Sequence, residues 1–124
     1  MSISDQIEKY INAIEQRNLK EISEIFFKSS ELTIVFPNGS EVIGYDNIVE
    51  MHRSWFSEKN WIWNGRHIRT MTFEDTAITV IKYEYISEPT SQTIGENDFL
   101  LSLTWKCVGG DWFVIFDQNT PLRG

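Results

Sequence analysis

The last third of the chain sets the strongest constraint on its fold. From Phe99 to Thr120 it reads FLLSLTWKCVGGDWFVIFDQNT. Phe99, Leu101, Leu103, Trp105 and Cys107 recur at every second position, and Trp112, Val114 and Phe116 do the same after Gly109-Gly110. That is the alternation of two half-buried strands. A Gly-Gly pair tolerates the positive φ of a tight hairpin turn, so it fixes the register and decides which side chains share a face. Continued to the end, the same alternation places Gln118 and Thr120 beside Phe116 on the inner face. It turns Asp98 and Asp117 away from that face. Everything upstream is expected to pack on the inner side.

Ser2 or Ser4 can cap a first helix, in which Ile3, Ile7, Tyr10, Ile11 and Ile14 fall on one stripe. Asn18 followed by Glu21 reads as a capping-box variant for a short second helix with Leu19, Ile22, Ile25 and Phe26 inward. Glu31 to Phe36 reads as a strand, Pro37-Asn38-Gly39 as a turn, and Glu41 to Ile43 as its short partner. Gly44 ends that hairpin, and Ile48, Val49, His52, Trp55 and Phe56 define a third helix. Asn60 to Phe73 alternates as a long strand, with Trp61, Trp63, His67, Met71 and Phe73 on one face and Arg69 among them. Thr76 to Ser87 is a further strand whose two faces are both partly apolar, so its inner side stays open. Glu88 to Asn97 reads as a polar loop.

A chain of 124 residues suits one domain, 1–124, able to bury about two-thirds of its unfolded surface. Five Trp and eight Phe are enough to build a core and also line a cavity. A net charge of −7, without a Lys/Arg cluster, disfavours nucleic acid and anionic membrane as partners. Cys107 is the only cysteine, which leaves no intrachain disulfide and no multi-cysteine metal site. The acidic N-terminal stretch does not fit a secretory signal, and no run is apolar enough to span a bilayer; a cytoplasmic location is expected.

The order helix, helix, hairpin, helix and three long antiparallel strands is that of an α+β fold. It resembles the nuclear transport factor 2-like superfamily, whose cone-shaped, curved antiparallel sheet wraps around three helices from the N-terminal half. Members include ketosteroid isomerase and the SnoaL-like cyclases. The resemblance covers nearly the whole chain and rests on YINAIEQRNLKEISEIF, VFPNG with IGYDNI, FEDTA, and LTWKCVGGDWFVIFDQNT. The nearest group is the SnoaL-like set, whose final strand usually reads W-x-I-V-H-x-H-x-S.

The resemblance implies site positions, and several are altered. Ketosteroid isomerase binds its oxyanion with a first-helix Tyr, moves the proton with a first-strand carboxylate and holds a second carboxylic acid neutral on a later strand. Tyr10 matches the first. Phe36 and Leu101 stand at the other two, so steroid-type isomerisation is not expected. Phe116, Gln118 and Thr120 replace the His, His and Ser of SnoaL-like relatives. Gln118 can orient a ligand but cannot take a proton near neutrality. Among the side chains themselves, only His52 and His67 titrate near pH 7 without a large shift.

The expectation is therefore a SnoaL-like domain that binds a small hydrophobic or aromatic molecule in an apolar cone pocket, without cofactor or metal. Its lining is expected to comprise Tyr10, Phe36, Trp55, Trp61, Trp63, His67, Leu101, Leu103, Trp105, Phe116 and Gln118. Two alternatives stand beside it. One is a cofactor-independent isomerase, cyclase or dehydratase using His67 or His52 with Tyr10. The other is a homodimeric assembly module without ligand, and under any of these readings a homodimer is expected through Ile62, Ile68, Ile78, Val80 and Ile86 on the outer sheet face.

Overall fold

The computed structural model describes residues 2–87 and 97–122. The polar loop expected from Glu88 lies, up to residue 96, outside the described residues. Helix α1 (Ile3–Glu15) starts at Ser2, whose hydroxyl accepts from the Asp5 amide at 3.1 Å. Helix α2 (Leu19–Ile25) starts at Asn18, whose side chain accepts from the Glu21 amide and donates to the Glu21 carboxylate. Each such cap is worth about 1 kcal/mol. Helix α3 (Tyr45–Ser57) buries Ile48, His52 and Phe56, the stripe read from the sequence.

Strands β1 (Thr33–Val35), β2 (Glu41–Ile43), β3 (Trp61–Phe73), β4 (Thr76–Ser87), β5 (Asp98–Val108) and β6 (Asp111–Pro121) form one sheet in the order β2-β1-β6-β5-β4-β3. Gly109 and Gly110 both adopt positive φ, +59° and +87°, at the β5–β6 turn. The sheet is mixed, not purely antiparallel: β1 lies parallel to β6, with Ile34 opposite Asp117. A parallel neighbour needs a long connection, and here α3 with the β3–β5 meander supplies it. Helices α1 and α2 lie against the sheet, touching β3 and β6, and their apolar stripes join the core around Trp105, Leu103, Ile81 and Val114.

Two bulges decide which residues point inward. In β6, Val114 pairs with Trp105 and Phe116 with Thr104, so Ile115 is the extra residue. In β3, His67 pairs with Ile81 and Arg69 with Val80, so Ile68 is extra. An inserted residue reverses the alternation beyond it. Phe116, Gln118 and Thr120 thus leave the inner face, and Asp117 and Asn119 enter it. Met71 and Phe73 likewise leave the tryptophan face of β3, and Phe73 is 61% exposed. On β4 the inner side is Ala77, Thr79, Ile81 and Tyr83, all buried; regular pairing with Trp105, Leu103, Leu101 and Phe99 of β5 settles it.

Candidate functional site

A cavity of about 360 Å³ opens between the helices and the sheet. Its helical side is formed by Tyr10 and Ile14 of α1 and by Met51, His52 and Trp55 of α3. Ile34, Phe36 and Pro37 close one flank. The sheet supplies Trp63, Tyr83, Tyr85, Phe99 and Leu101, and β6 contributes Asp117 and Asn119.

The wall is a ladder of rings across three strands. Trp63 stacks on Tyr83 (centroids 5.2 Å, 25° between planes), and Tyr83 on Phe99 (5.1 Å, 15°). Gly65 makes this possible. A Cβ there would sit 2.4 Å from the Trp63 indole, so only glycine lets the ring lie over the β3 backbone. On the helical side, Trp55 stacks on Trp61 (4.4 Å, 17°), and the Arg17 guanidinium lies 3.7 Å from the Trp61 ring centre while bonding the Glu58 and Trp61 carbonyls.

The polar end is a hydrogen-bonded network around Asp117, which is 3% exposed. The Tyr10 hydroxyl donates to Asp117 Oδ2 at 3.0 Å, and Asn119 Nδ2 donates to Oδ1 at 3.0 Å. The same amide nitrogen donates to the Val35 carbonyl at 2.9 Å, and the Tyr83 hydroxyl donates to Asn119 Oδ1 at 2.7 Å. Burial raises the Asp117 carboxyl to about 7 against the pull of its two donors. Burial, reinforced by the adjacent carboxylate, raises the Tyr10 hydroxyl well above its ordinary value, and Tyr83 is raised for the same reasons. Both phenols remain neutral donors.

His52 is buried against Phe26, Trp55 and Phe56, and its Nδ1 lies 2.8 Å from the Ile48 carbonyl. A carbonyl only accepts, so Nδ1 carries the proton and Nε2 keeps its lone pair. Burial lowers this imidazole to about 4, so it is uncharged at neutral pH.

Of the residues expected at the cavity, the structure brings Tyr10, Phe36, Trp55, Trp63, Leu101 and His52 to its wall. The others lie elsewhere, for identifiable reasons. Trp61 is covered by Trp55 and Arg17. Leu103 and Trp105 are wholly buried deeper in the core. Phe116 and Gln118 are turned out by the β6 bulge, and Gln118 is exposed. His67 is exposed, and its Nε2 meets the Thr70 hydroxyl at 2.6 Å. It therefore corrects the expectation of a pocket histidine at that position. Asp117, expected to face outward, is the charged residue that sequence reasoning missed. Its signal was the unbroken apolar run Trp112-Phe113-Val114-Ile115-Phe116, within which alternation alone cannot assign a face. Among the described residues no three His, Cys, Asp or Glu side chains are grouped to hold a metal ion, and no helix is long and apolar enough to cross a membrane.

No family model and no curated protein matches the sequence. Solved structures do. The chain is similar to a candidate calcium/calmodulin-dependent protein kinase type II association domain from Thiobacillus denitrificans, with 14% identity, a TM-score of 0.80 and coverage of 98% of this chain and 96% of that one. It is similar to a candidate dehydratase of the nuclear transport factor 2-like family from Streptomyces avermitilis (9% identity, TM-score 0.80, 98% and 94% covered). A nuclear transport factor 2-like superfamily protein from Salmonella enterica matches with 14% identity and a TM-score of 0.78, over 98% and 89% of the two chains. At these identities the likeness is one of fold.

Proposed function

We propose, proceeding from the nuclear transport factor 2-like fold of this chain, that its function is to bind a small, largely apolar aromatic molecule in the cone cavity. The observation that carries this reading is a cavity of about 360 Å³ walled by aromatic rings and ending in a small set of convergent polar groups. Small-molecule sites have this character, with volumes of about 300–1,000 Å³. Rings supply contact area, and Asp117, Tyr10 and Asn119 fix orientation. Titration with 2-naphthol, followed by tryptophan emission, is the test. Saturable quenching is expected in the wild type, together with its loss in Leu101→Trp, which fills the cavity. Quenching that never saturates, or that survives the filled cavity, would remove the reading.

One observation favours a second, catalytic reading. A carboxyl that titrates near neutrality inside an apolar cavity is suited to proton transfer. In a cofactor-independent isomerase, cyclase or dehydratase the proton would then be moved by Asp117, with Tyr10 as hydrogen-bond donor; His67 would have no part. Loss of turnover in Asp117→Asn with none in His67→Gln is the expected pattern. We propose further that the chain acts as a single domain, in the cytoplasm, where a lone free thiol such as Cys107 stays reduced. Pairing of two copies through the outer sheet face accompanies this, supported by Ile62 and Ile68 at 56% and 48% exposure.

A further inference from the structure

Asp117 is a buried carboxylate with no counter-charge. Its two hydrogen-bond donors, Tyr10 and Asn119, are neutral, and among the described residues no Lys, Arg or His forms an ion pair with it. The titratable groups facing the cavity are Tyr10 from α1, His52 from α3, and Tyr83 and Tyr85 from β4; β1 and β5 present only apolar side chains there. None of these groups is positive at neutral pH, because burial keeps His52 uncharged. A desolvated anion without a partner is costly, and such a carboxyl either holds its proton, as Asp117 does below neutrality, or is met by a cation. Around this anion the chain places rings instead. The faces of Trp, Tyr and Phe attract cations through the ring quadrupole, and most strongly where water is excluded.

We propose that the ligand of this cavity is a hydrophobic organic cation: an ammonium group joined to an aryl or alkyl body, its nitrogen at Asp117 and its body along the Trp63–Tyr83–Phe99 ladder. This rests on the reading of the cavity as a small-molecule site and names the chemical class that site takes. The ammonium supplies the missing charge and its N–H bonds use the carboxylate's free lone pairs. A neutral isostere gains the same apolar contact but leaves the anion unpaired. A carboxylate ligand meets like charge at short range, and the protein's net charge of −7 repels it further.

The test compares 2-phenylethylammonium, 2-phenylethanol and 3-phenylpropanoate, which share a phenyl body, by titration calorimetry at pH 8 and pH 6. At pH 8 the ammonium should bind at least about tenfold tighter than the alcohol, and the carboxylate should not bind. At pH 6, where Asp117 holds its proton in the free protein, the preference should shrink to about threefold or less. His52 titrates well below this window and contributes no step of its own. At pH 7 ammonium binding should release protons, seen as a heat that varies with the ionisation enthalpy of the buffer. Asp117→Asn should bring the ammonium-to-alcohol ratio close to one. Should that variant fail to fold, the wild-type pH series and the proton release still decide. Alcohol binding as tight as the ammonium at pH 8, or a preference unchanged at pH 6, overturns the cation while leaving the cavity as a site. Absence of binding by all three probes, with 2-naphthol also inert, overturns both.

Discussion

Replacing Asp117 by Asn should make the protein more stable, and increasingly so as pH rises. The carboxyl has a usual value of 3.8 and is held at about 7 in the folded chain. Between those values the folded state binds a proton that the unfolded state has released. The contribution to stability is therefore complete below pH 3.8 and is lost as pH rises through 7. At about 1.4 kcal/mol per pH unit, wild type loses about 3 kcal/mol from this group between pH 5 and pH 8.5. The amide stays neutral throughout, and Tyr10 can reverse its hydroxyl to accept from it. His52 has the opposite sign: a base lowered from 6.5 to about 4 adds stability that is present above pH 6.5 and is lost as pH falls, about 2 kcal/mol of it by pH 5. The two slopes nearly cancel in the wild type below neutrality, and the variant exposes the histidine slope alone. Urea unfolding followed by tryptophan emission, run from pH 5 to 8.5, gives the difference directly, since every other group cancels between the two proteins. The difference should grow by about 3 kcal/mol in favour of the variant. A difference constant to within about 0.5 kcal/mol, or one that shrinks as pH rises, would show that Asp117 is not a desolvated acid and would refute the burial argument.

Gly65→Ala should displace the Trp63 indole, because the new Cβ meets the ring at 2.4 Å; the cost is about 1–3 kcal/mol of stability, with a changed near-ultraviolet dichroism that an undisturbed ring would not give. Trp63→Ala and Trp105→Ala should each destabilise by about 3–5 kcal/mol, yet only the first should weaken 2-naphthol binding, since Trp105 is wholly buried away from the cavity. Comparable losses of affinity in both variants would contradict that placement. If two copies pair through the outer sheet face, light scattering at micromolar concentration should give twice the monomer mass, and Ile62→Asp should return the monomer; a monomer in the wild type removes the dimer.

The sequence by itself determined the elements and much of their amphipathic pattern. Asn18 marks a helix start through its side-chain oxygen, Ser2 was one of two serines that could start the first, and the stripes of α1 and α3 follow from spacing alone. The Gly109-Gly110 hairpin was equally plain, because few other residue pairs accept its backbone angles. These are local facts, encoded within a few residues of where they act. Tertiary structure decided the rest. Whether Ile81 or Val80 faced inward depended on how β4 pairs with β5, since both are apolar and period alone cannot choose. His67 shares the register face of Trp63 and yet is exposed, because burial comes from what covers a strand, not from its alternation. The site itself turned on one inserted residue. Ile115 adds a half-step to β6, so that Phe116 and Gln118 leave the cavity and Asp117 and Asn119 enter it. Pairing on both sides of β6 changes at this point: the Phe26 bridge ends at Val114, and β1 takes over from Phe116. A bulge is the compromise between those two partners, and no single strand's sequence contains both of them.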